Sequence, residues 1–572
     1  METPLAADAV RILILGPTGA GKSTTGKLLA HLLGWRFVDL DEVIVAHDGR
    51  PVSAIFAEDG EDGWRSRESA TLAAVLREER VVIAGGAGLV EREENRRLAR
   101  DAGAWTVALD IPPEVALRRI AQQSAEQVAP VGELRPMLAG EDPLASMRAM
   151  RERRAPLYAL ADDHISTDSL DPTQVAGRAL AGISLAGRLP KDGAETQTSV
   201  VTAGAGYNAV AGWGALAHLP RYLATLRLPP RVTVVSDSAV SPIYAEPLAR
   251  VLRDGGYDPA AFAIPAGEAN KSRASLEAVY DFLAERRAER GEALLALGGG
   301  VVGDLAGFAA ATWLRGVPLV QLPTSLLAQV DASIGGKVAI DHPRGKNLIG
   351  AFYQPRLVVA DTSTLLTLPG RACTEGWAEV IKHGAALDSG YFTAIERDAN
   401  ALLAAHPAEL TAAVARSVAI KGAVVAGDER ESEDGQRALL NYGHTLGHAI
   451  ETVTGYTAWL HGEAVSAGMV FAAQLGVRLG VTPPEVAARV EALLSAFGLP
   501  TRLDGLDGSA LLRATHWDKK ARDGQVRWVL LTGLGASVAY GPAPEAALRS
   551  TLAELGATID TPDVNGAPTS VL

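Results

Sequence analysis

The chain has 572 residues, 48% of them apolar, and a net charge of −13, enough for about three compact units of roughly 100 to 200 residues each. The acidic balance excludes general nucleic-acid binding, and the single cysteine, Cys373, excludes a disulfide framework or a multi-thiolate zinc site. With no apolar run of about 18 residues and no signal-like start, a cytoplasmic protein with neither nucleic-acid nor membrane partners is expected.

From residue 10 to about 170, short β-branched runs at 11–15, 36–39, 80–84 and 105–110 alternate with amphipathic stretches, the pattern of an α/β fold with a parallel sheet. Between the first strand and the helix after it lies Gly16-Pro17-Thr18-Gly19-Ala20-Gly21-Lys22-Ser23, which fits the pattern G-x-x-x-x-G-K-[ST] in full. Its backbone N–H groups, with Gly19, Gly21 and Thr24 in the turn, suit nucleotide phosphates; Lys22 reaches the outer phosphates, and Ser23 suits Mg²⁺. Asp39 and Asp41 end the second strand two residues apart and share a face. One could hold Mg²⁺ and the other accept a hydroxyl proton, although acidic residues at a strand end also serve as caps.

Residues 185–198 lose apolar periodicity and read as a linker. A second α/β region follows over 199–363, with strands expected at 232–237, 294–297, 319–322 and 357–361. Helical periodicity dominates 364–555, and 556–572 read as a loose tail. The run Gly298-Gly299-Gly300-Val301-Val302-Gly303-Asp304 matches the dinucleotide fingerprint formally, but no acidic residue stands about 20 positions on. His444 and His448 are four apart, His461 follows nearby, and Thr445 occupies the place where a zinc protease needs glutamate. With Glu379, the histidines make a metal site of imidazole and carboxylate that suits Zn²⁺ or Co²⁺. Arg315, Lys337, Lys346, Lys382, Lys421, Arg437, Lys519 and Lys520 stand singly or as one pair in otherwise neutral segments, which suits an anionic sugar phosphate.

The loop at 16–23, Phe37–Asp41, Gly60–Glu68, Gly85-Gly86-Ala87-Gly88, Arg135–Gly140 and Arg154–Tyr158 together resemble the shikimate kinases over residues 10–170. The resemblance implies a P-loop kinase domain over 1–184 that uses ATP and Mg²⁺. Asp41, Arg65, Gly86 and Arg154 would bind shikimate, Asp39 and Ser23 would organise Mg²⁺, and Arg135 would close over the transferring phosphate, with Lys22, Asp41 and Arg135 catalytic. The chain departs from the family's Gly-Gly-Gly at Ala87, and its lid before Arg135 is longer.

Pro265–Lys271, Gly298–Asp304, Pro323–Lys337 and Gly345–Gln354 resemble 3-dehydroquinate synthase, and the match runs over 199–555. It implies an NAD-binding part at 199–363 and a helical metal- and substrate-binding part at 364–555. It also implies conversion of 3-deoxy-arabino-heptulosonate 7-phosphate to 3-dehydroquinate and phosphate, with NAD⁺ regenerated. Glu379, His444 and His461 would be the ligands. Asp237, Glu268, Lys271, Gly300, Asp304, Thr324, Ser325 and Asp331, with Lys337 and Lys346, would hold NAD⁺. Lys337, Lys382, Lys421 and Asn441 would orient the substrate, and Asn347, Arg437, His448 and Lys519 or Lys520 its phosphate, with Lys337, Lys382 and His448 catalytic. Arg315 would reach the phosphate of a neighbouring subunit, implying a homodimer. The alternative is a metal-dependent polyol dehydrogenase fused to a nucleotide-binding regulatory module, which would need no phosphate receptor and would release stoichiometric NADH.

Overall fold

The computed structural model describes residues 10–127, 142–190, 195–202, 206–430, 436–516 and 526–559. Arg135, Lys519 and Lys520 lie outside them. The chain divides into two units: 1–192 with 216–222 and 238–259, and 193–215, 223–237 and 260–572.

In the first unit, β1 (Arg11–Leu15), β2 (Arg36–Asp39), β3 (Val81–Ala84), β4 (Trp105–Asp110) and β5 (Asp163–Ser166) form a parallel sheet in the order β2-β3-β1-β4-β5. Its central strands are apolar on both faces because helices cover both. The helix Pro172–Leu185 is buried along one unbroken run from Val175 to Leu185. A helix apolar all round needs cover on more than one side. Helix Lys22–Leu33 supplies part of that cover, and helix Ser241–Asp254 supplies more. That second helix falls in the stretch expected to belong to the cofactor-binding part, so the first unit recruits chain from beyond residue 184.

The expected linker at 185–198 is shorter than its composition suggests. The preceding helix ends at Leu185, Leu189 is buried, and β6 (Thr196–Val201) already pairs antiparallel with β7 (Gly206–Gly212). β6 is polar because it is the edge of its sheet and buries only Val200 fully.

β8 (Arg231–Asp237), β9 (Asp258–Ile264), β10 (Ala293–Gly298), β11 (Leu319–Pro323) and β14 (Leu357–Asp361) complete a seven-stranded sheet in the order β6-β7-β14-β11-β10-β8-β9. The hairpin β12 (Lys337–His342) and β13 (Gly345–Phe352) stands apart from it. The described residues from 370 onward are mainly helical, as expected, but β15 (Trp528–Gly533) and β16 (Ala536–Tyr540) form a hairpin whose Trp528–Leu531 run is buried. Residues 556–559, expected to belong to a loose tail, are held in place. The Leu555 and Thr558 carbonyls accept from Leu503 and Gly508 at 2.8 Å, which ties the chain down as far as Ile559.

The helix Pro407–Gly427 is long and apolar enough to cross a membrane by composition. It is mostly buried in the second unit and points Lys421 inward, which marks it as a core helix.

Candidate active sites

In the first unit the phosphate loop joins β1 to helix Lys22–Leu33. Gly16, Gly19 and Gly21 all take positive φ, which side chains resist, so the loop can turn its N–H groups inward only with glycine there. The Lys22 ammonium donates to the Gly16 and Pro17 carbonyls at 3.0 Å, and the Ser23 hydroxyl donates to Asp39 at 2.6 Å. Asp39 also caps helix Leu40–Asp48 by accepting from the Asp41 N–H at 3.1 Å. Asp39 is thus the cap of that helix as well as the partner of Ser23, while Asp41 lies in the first turn of the helix and not on the face of the strand, which ends at Asp39.

Arg65, buried on helix Val52–Val75, donates to Glu68 at 2.5 Å and to Glu61 at 3.0 Å. Arg154 is also buried and donates to Glu91 at 3.0 Å, while Arg65 stands 3.8 Å from the same carboxylate. Two guanidinium groups thus converge on one anionic position. The departure at Ala87 leaves the close contacts intact: a Cβ on Gly86 would meet Glu68 Oε1 at 2.0 Å, and one on Gly88 would meet Arg65 at 1.9 Å. Ala87 itself accepts from the Tyr158 hydroxyl through its carbonyl at 2.7 Å. Glu68 was missed in the sequence, although it lies one turn after Arg65 on the same helix face. Burial raises its pKa more than the facing Arg65 lowers it.

In the second unit, Asp237, Gly298 and Thr324 lie at the carboxyl ends of the adjacent parallel strands β8, β10 and β11. Helix Gly300–Thr312 starts immediately after β10 and turns its free N–H groups to that edge, where α/β sheets bind nucleotides. Ser325 follows and accepts from the Ala328 N–H at 3.3 Å. Lys271 is buried and donates to Asp304 and Asn347, each at 2.5 Å. Asn347, expected at the substrate phosphate, thus shares the Lys271 ammonium with Asp304.

The metal candidates come from three helices. Glu379 and Lys382 lie one turn apart on helix Gly370–Leu387, while His444 and His461 each open a helix, His444–Val453 and His461–Arg478. These last two cross at backbone distance. Gly443 takes φ +80°, and a Cβ on Gly468 would meet the Gly443 carbonyl at 2.0 Å. His444 Nε2 and His461 Nε2 stand 3.5 and 3.6 Å from Glu379 Oε1. Ligands on a tetrahedral ion at about 2.1 Å stand about 3.4 Å apart, so the spacing fits. Both Glu379 oxygens are buried without a hydrogen bond of ordinary geometry, which leaves lone pairs for an ion to take. Burial opposes the Glu379 charge, but the ion-paired Lys382 ammonium holds its carboxyl below the usual range.

Asp331 pairs with Lys421 at 2.6 Å; burial works against its charge, yet Lys421 and Lys382 keep it well below the ordinary carboxylate range. His448 lies beside the triad, its ring centroid 5.4 Å from that of His444 and 6.2 Å from that of His461. Arg437 is buried, with donors on the Glu429 and Gly335 carbonyls at 2.5 and 3.4 Å, and Asn441 closes the same short helix, Gln436–Asn441. Lys337 is exposed at the start of β12. Arg315 is exposed too; it and Leu314 hold φ of 65° and 47°. The sequence reading missed His383, one turn beyond Glu379. Burial, with Lys382 beside it, lowers its pKa to about 4, so it is neutral.

A shikimate kinase family model matches residues 18–184, and models for the N- and C-terminal parts of 3-dehydroquinate synthase match 261–375 and 376–521. The 3-dehydroquinate synthase of Citrifermentans bemidjiense is 48% identical over 330 residues, 58% of this chain and 91% of that one. Among solved structures, 2-epi-5-epi-valiolone synthase from Streptomyces hygroscopicus subsp. jinggangensis, with NAD⁺ and Zn²⁺ bound, superposes with TM-score 0.57 at 25% identity, covering 61% of this chain and 96% of its own. A 2-deoxy-scyllo-inosose synthase complexed with carbaglucose-6-phosphate, NAD⁺ and Co²⁺ gives 0.56 at 26%, covering 63% and 99%.

Proposed function

The chain belongs to the 3-dehydroquinate synthase family and carries a shikimate kinase domain ahead of it, and on that premise we propose which residues carry its two reactions. These are the ATP-dependent 3-phosphorylation of shikimate and the conversion of 3-deoxy-arabino-heptulosonate 7-phosphate to 3-dehydroquinate and phosphate. The observation that carries the synthase reading is the meeting of Glu379, His444 and His461 beside the buried cations Lys382 and Lys421.

In the kinase, ATP with Mg²⁺ supplies the transferable phosphoryl group. The loop amides of Gly19, Gly21 and Thr24 and the Lys22 ammonium hold the phosphates, and Ser23 with Asp39 holds the ion. Arg65 and Arg154 grip the shikimate carboxylate, the Gly86 backbone supports the ring, and Asp41 takes the proton of the attacking hydroxyl. Arg135 neutralises charge on the phosphoryl group as it transfers.

In the synthase, Glu379, His444 and His461 would hold Zn²⁺ or Co²⁺, which would supply Lewis acidity toward the substrate oxygen, and NAD⁺ would supply a reversible hydride acceptor. Asp237, Glu268, Gly300, Thr324, Ser325 and Asp331 line the nucleotide's path, with Lys271, Asp304 and Asn347 beside them. Lys337, Lys382, Lys421 and Asn441 orient hydroxyls and carboxylate. Arg437, His448 and Lys519 or Lys520 receive the departing phosphate. A polyol dehydrogenase has no use for this set of cations.

The exposed, strained Arg315 supports a homodimer in which it reaches the partner's phosphate site. The cytoplasm is the compartment that fits small anionic substrates and nucleotide cofactors. The test is one purified preparation given shikimate with ATP, and separately the heptulosonate phosphate with NAD⁺. Both shikimate 3-phosphate and free phosphate are expected, and failure of either reaction removes that half of the reading.

A further inference from the structure

We infer that Glu451 is the positioning residue of the metal centre: it fixes the ring of His461 and ties that ligand to the β12–β13 hairpin through Lys346. The inference rests on the reading of Glu379, His444 and His461 as ligands. Glu451 is 3% exposed and lies on helix His444–Val453, two turns beyond His444 and so on the same face. One of its oxygens, Oε2, meets His461 Nδ1 at 3.2 Å, and the other, Oε1, accepts from Lys346 Nζ at 3.1 Å.

A carboxylate on Nδ1 requires the proton there and leaves the Nε2 lone pair free. Nε2 is the atom that faces Glu379. The contact therefore selects the tautomer and the ring angle that a ligand needs, and makes the imidazole a better donor. Lys346 in turn lies 3.4 Å from Glu268 and 4.7 Å from the Tyr456 ring centroid. Its ammonium is engaged on three sides. It bridges the hairpin and the metal ligand, a different task from contacting the cofactor directly. The opposite arrangement, in which Glu451 is itself a ligand with His448 and His461, is geometrically open, since donor atoms of the three lie within 4.8 Å of one another. The two arrangements differ in what Glu451→Gln does to the ion's spectrum.

The experiment uses the full-length protein stripped with chelator and titrated with Co²⁺ and Zn²⁺. It reads affinity by competition and ligand geometry by the visible Co²⁺ spectrum. Glu451→Gln is expected to weaken metal affinity about 10- to 100-fold while keeping a Co²⁺ spectrum of the same coordination class. Lys346→Met is expected to weaken it by a smaller factor. Wild-type affinity in Glu451→Gln, or a changed coordination class showing that a ligand was lost, overturns the inference. Should Glu451→Gln not fold, Glu451→Asp decides in the same assay: weakened affinity supports the inference and unchanged affinity overturns it. His461→Ala separates the two levels. If it keeps full metal content, the ligand reading itself fails; if it loses metal while Glu451→Gln does not, only the positioning role fails.

Discussion

The Ser23 hydroxyl donates to the Asp39 carboxylate at 2.6 Å, joining the phosphate loop to the end of the second strand. On the proposed reading the pair presents an anionic oxygen and a hydroxyl to the nucleotide's Mg²⁺. Asp39→Asn preserves the helix cap, because an asparagine oxygen also accepts from the Asp41 N–H. The expected result is a folded kinase that needs about 10-fold more Mg²⁺ or above for half-maximal rate, measured by Mg²⁺ titration at fixed ATP. An unchanged Mg²⁺ requirement would remove Asp39 from the ion.

Arg65→Lys keeps the charge but loses the two-donor fork. Given roughly 1.5–3 kcal/mol for a hydrogen bond to a charged group, kcat/KM for shikimate should fall about 10- to 100-fold, with the Kd for ATP nearly unchanged. Equal losses for the two ligands would put Arg65 on the nucleotide side. Glu68→Gln should act in the same direction, and the double variant should be less than additive because Arg65 and Glu68 share one contact.

Asp163 is fully buried on β5 between Arg178 and Arg250, at 2.9 and 2.6 Å. Arg178→Met removes one partner of a buried carboxylate, and roughly 3–5 kcal/mol of stability should go with it. Arg250→Met should cost less, since that side chain is 37% exposed and Arg178 remains. Denaturant midpoints of the first transition would show the order, and a larger loss in Arg250→Met would reverse the account. By the same reasoning, a fragment of residues 1–192 lacks helix Ser241–Asp254. It should unfold at lower denaturant than the corresponding unit in the intact chain.

The two sites share no residue, so Lys22→Ala should abolish shikimate phosphorylation and leave phosphate release nearly intact, while His444→Ala should do the reverse. The product of the synthase is not the substrate of the kinase, so the chemistry supplies no reason for transfer between them. A large loss of synthase rate in folded Lys22→Ala protein would show coupling.

Much of both sites was legible because their residues answer to backbone geometry or to short spacings. Gly16, Gly19 and Gly21 advertise positive φ, Asp39 the end of a strand, and His444 with His448 the face of a helix; Asp41 instead opens the helix that follows the strand. Contacts between distant elements were not legible. Glu451 stands near His444 in sequence, but its role depends on which helix crosses that face. Glu91 carried no motif at all, although the fold sets it between Arg65 and Arg154. Residues 196–198, the start of strand β6, have the composition of a linker because an edge strand with one buried side chain looks like a loop. The helix Ser241–Asp254 was assigned by its place in the chain, whereas its packing partner is the apolar helix Pro172–Leu185, whose exposed alternative would be too costly.

On the proposed reading the second unit releases phosphate through a hydride cycle that consumes no cofactor. The most direct measurement supplies purified chain with excess 3-deoxy-arabino-heptulosonate 7-phosphate and substoichiometric NAD⁺, following free phosphate and NADH absorbance together. Many phosphates per NAD⁺ with no net NADH is the predicted result, lost on chelation and restored by Zn²⁺ or Co²⁺. One NADH accumulating per substrate oxidised, or phosphate release that survives metal removal, would contradict it.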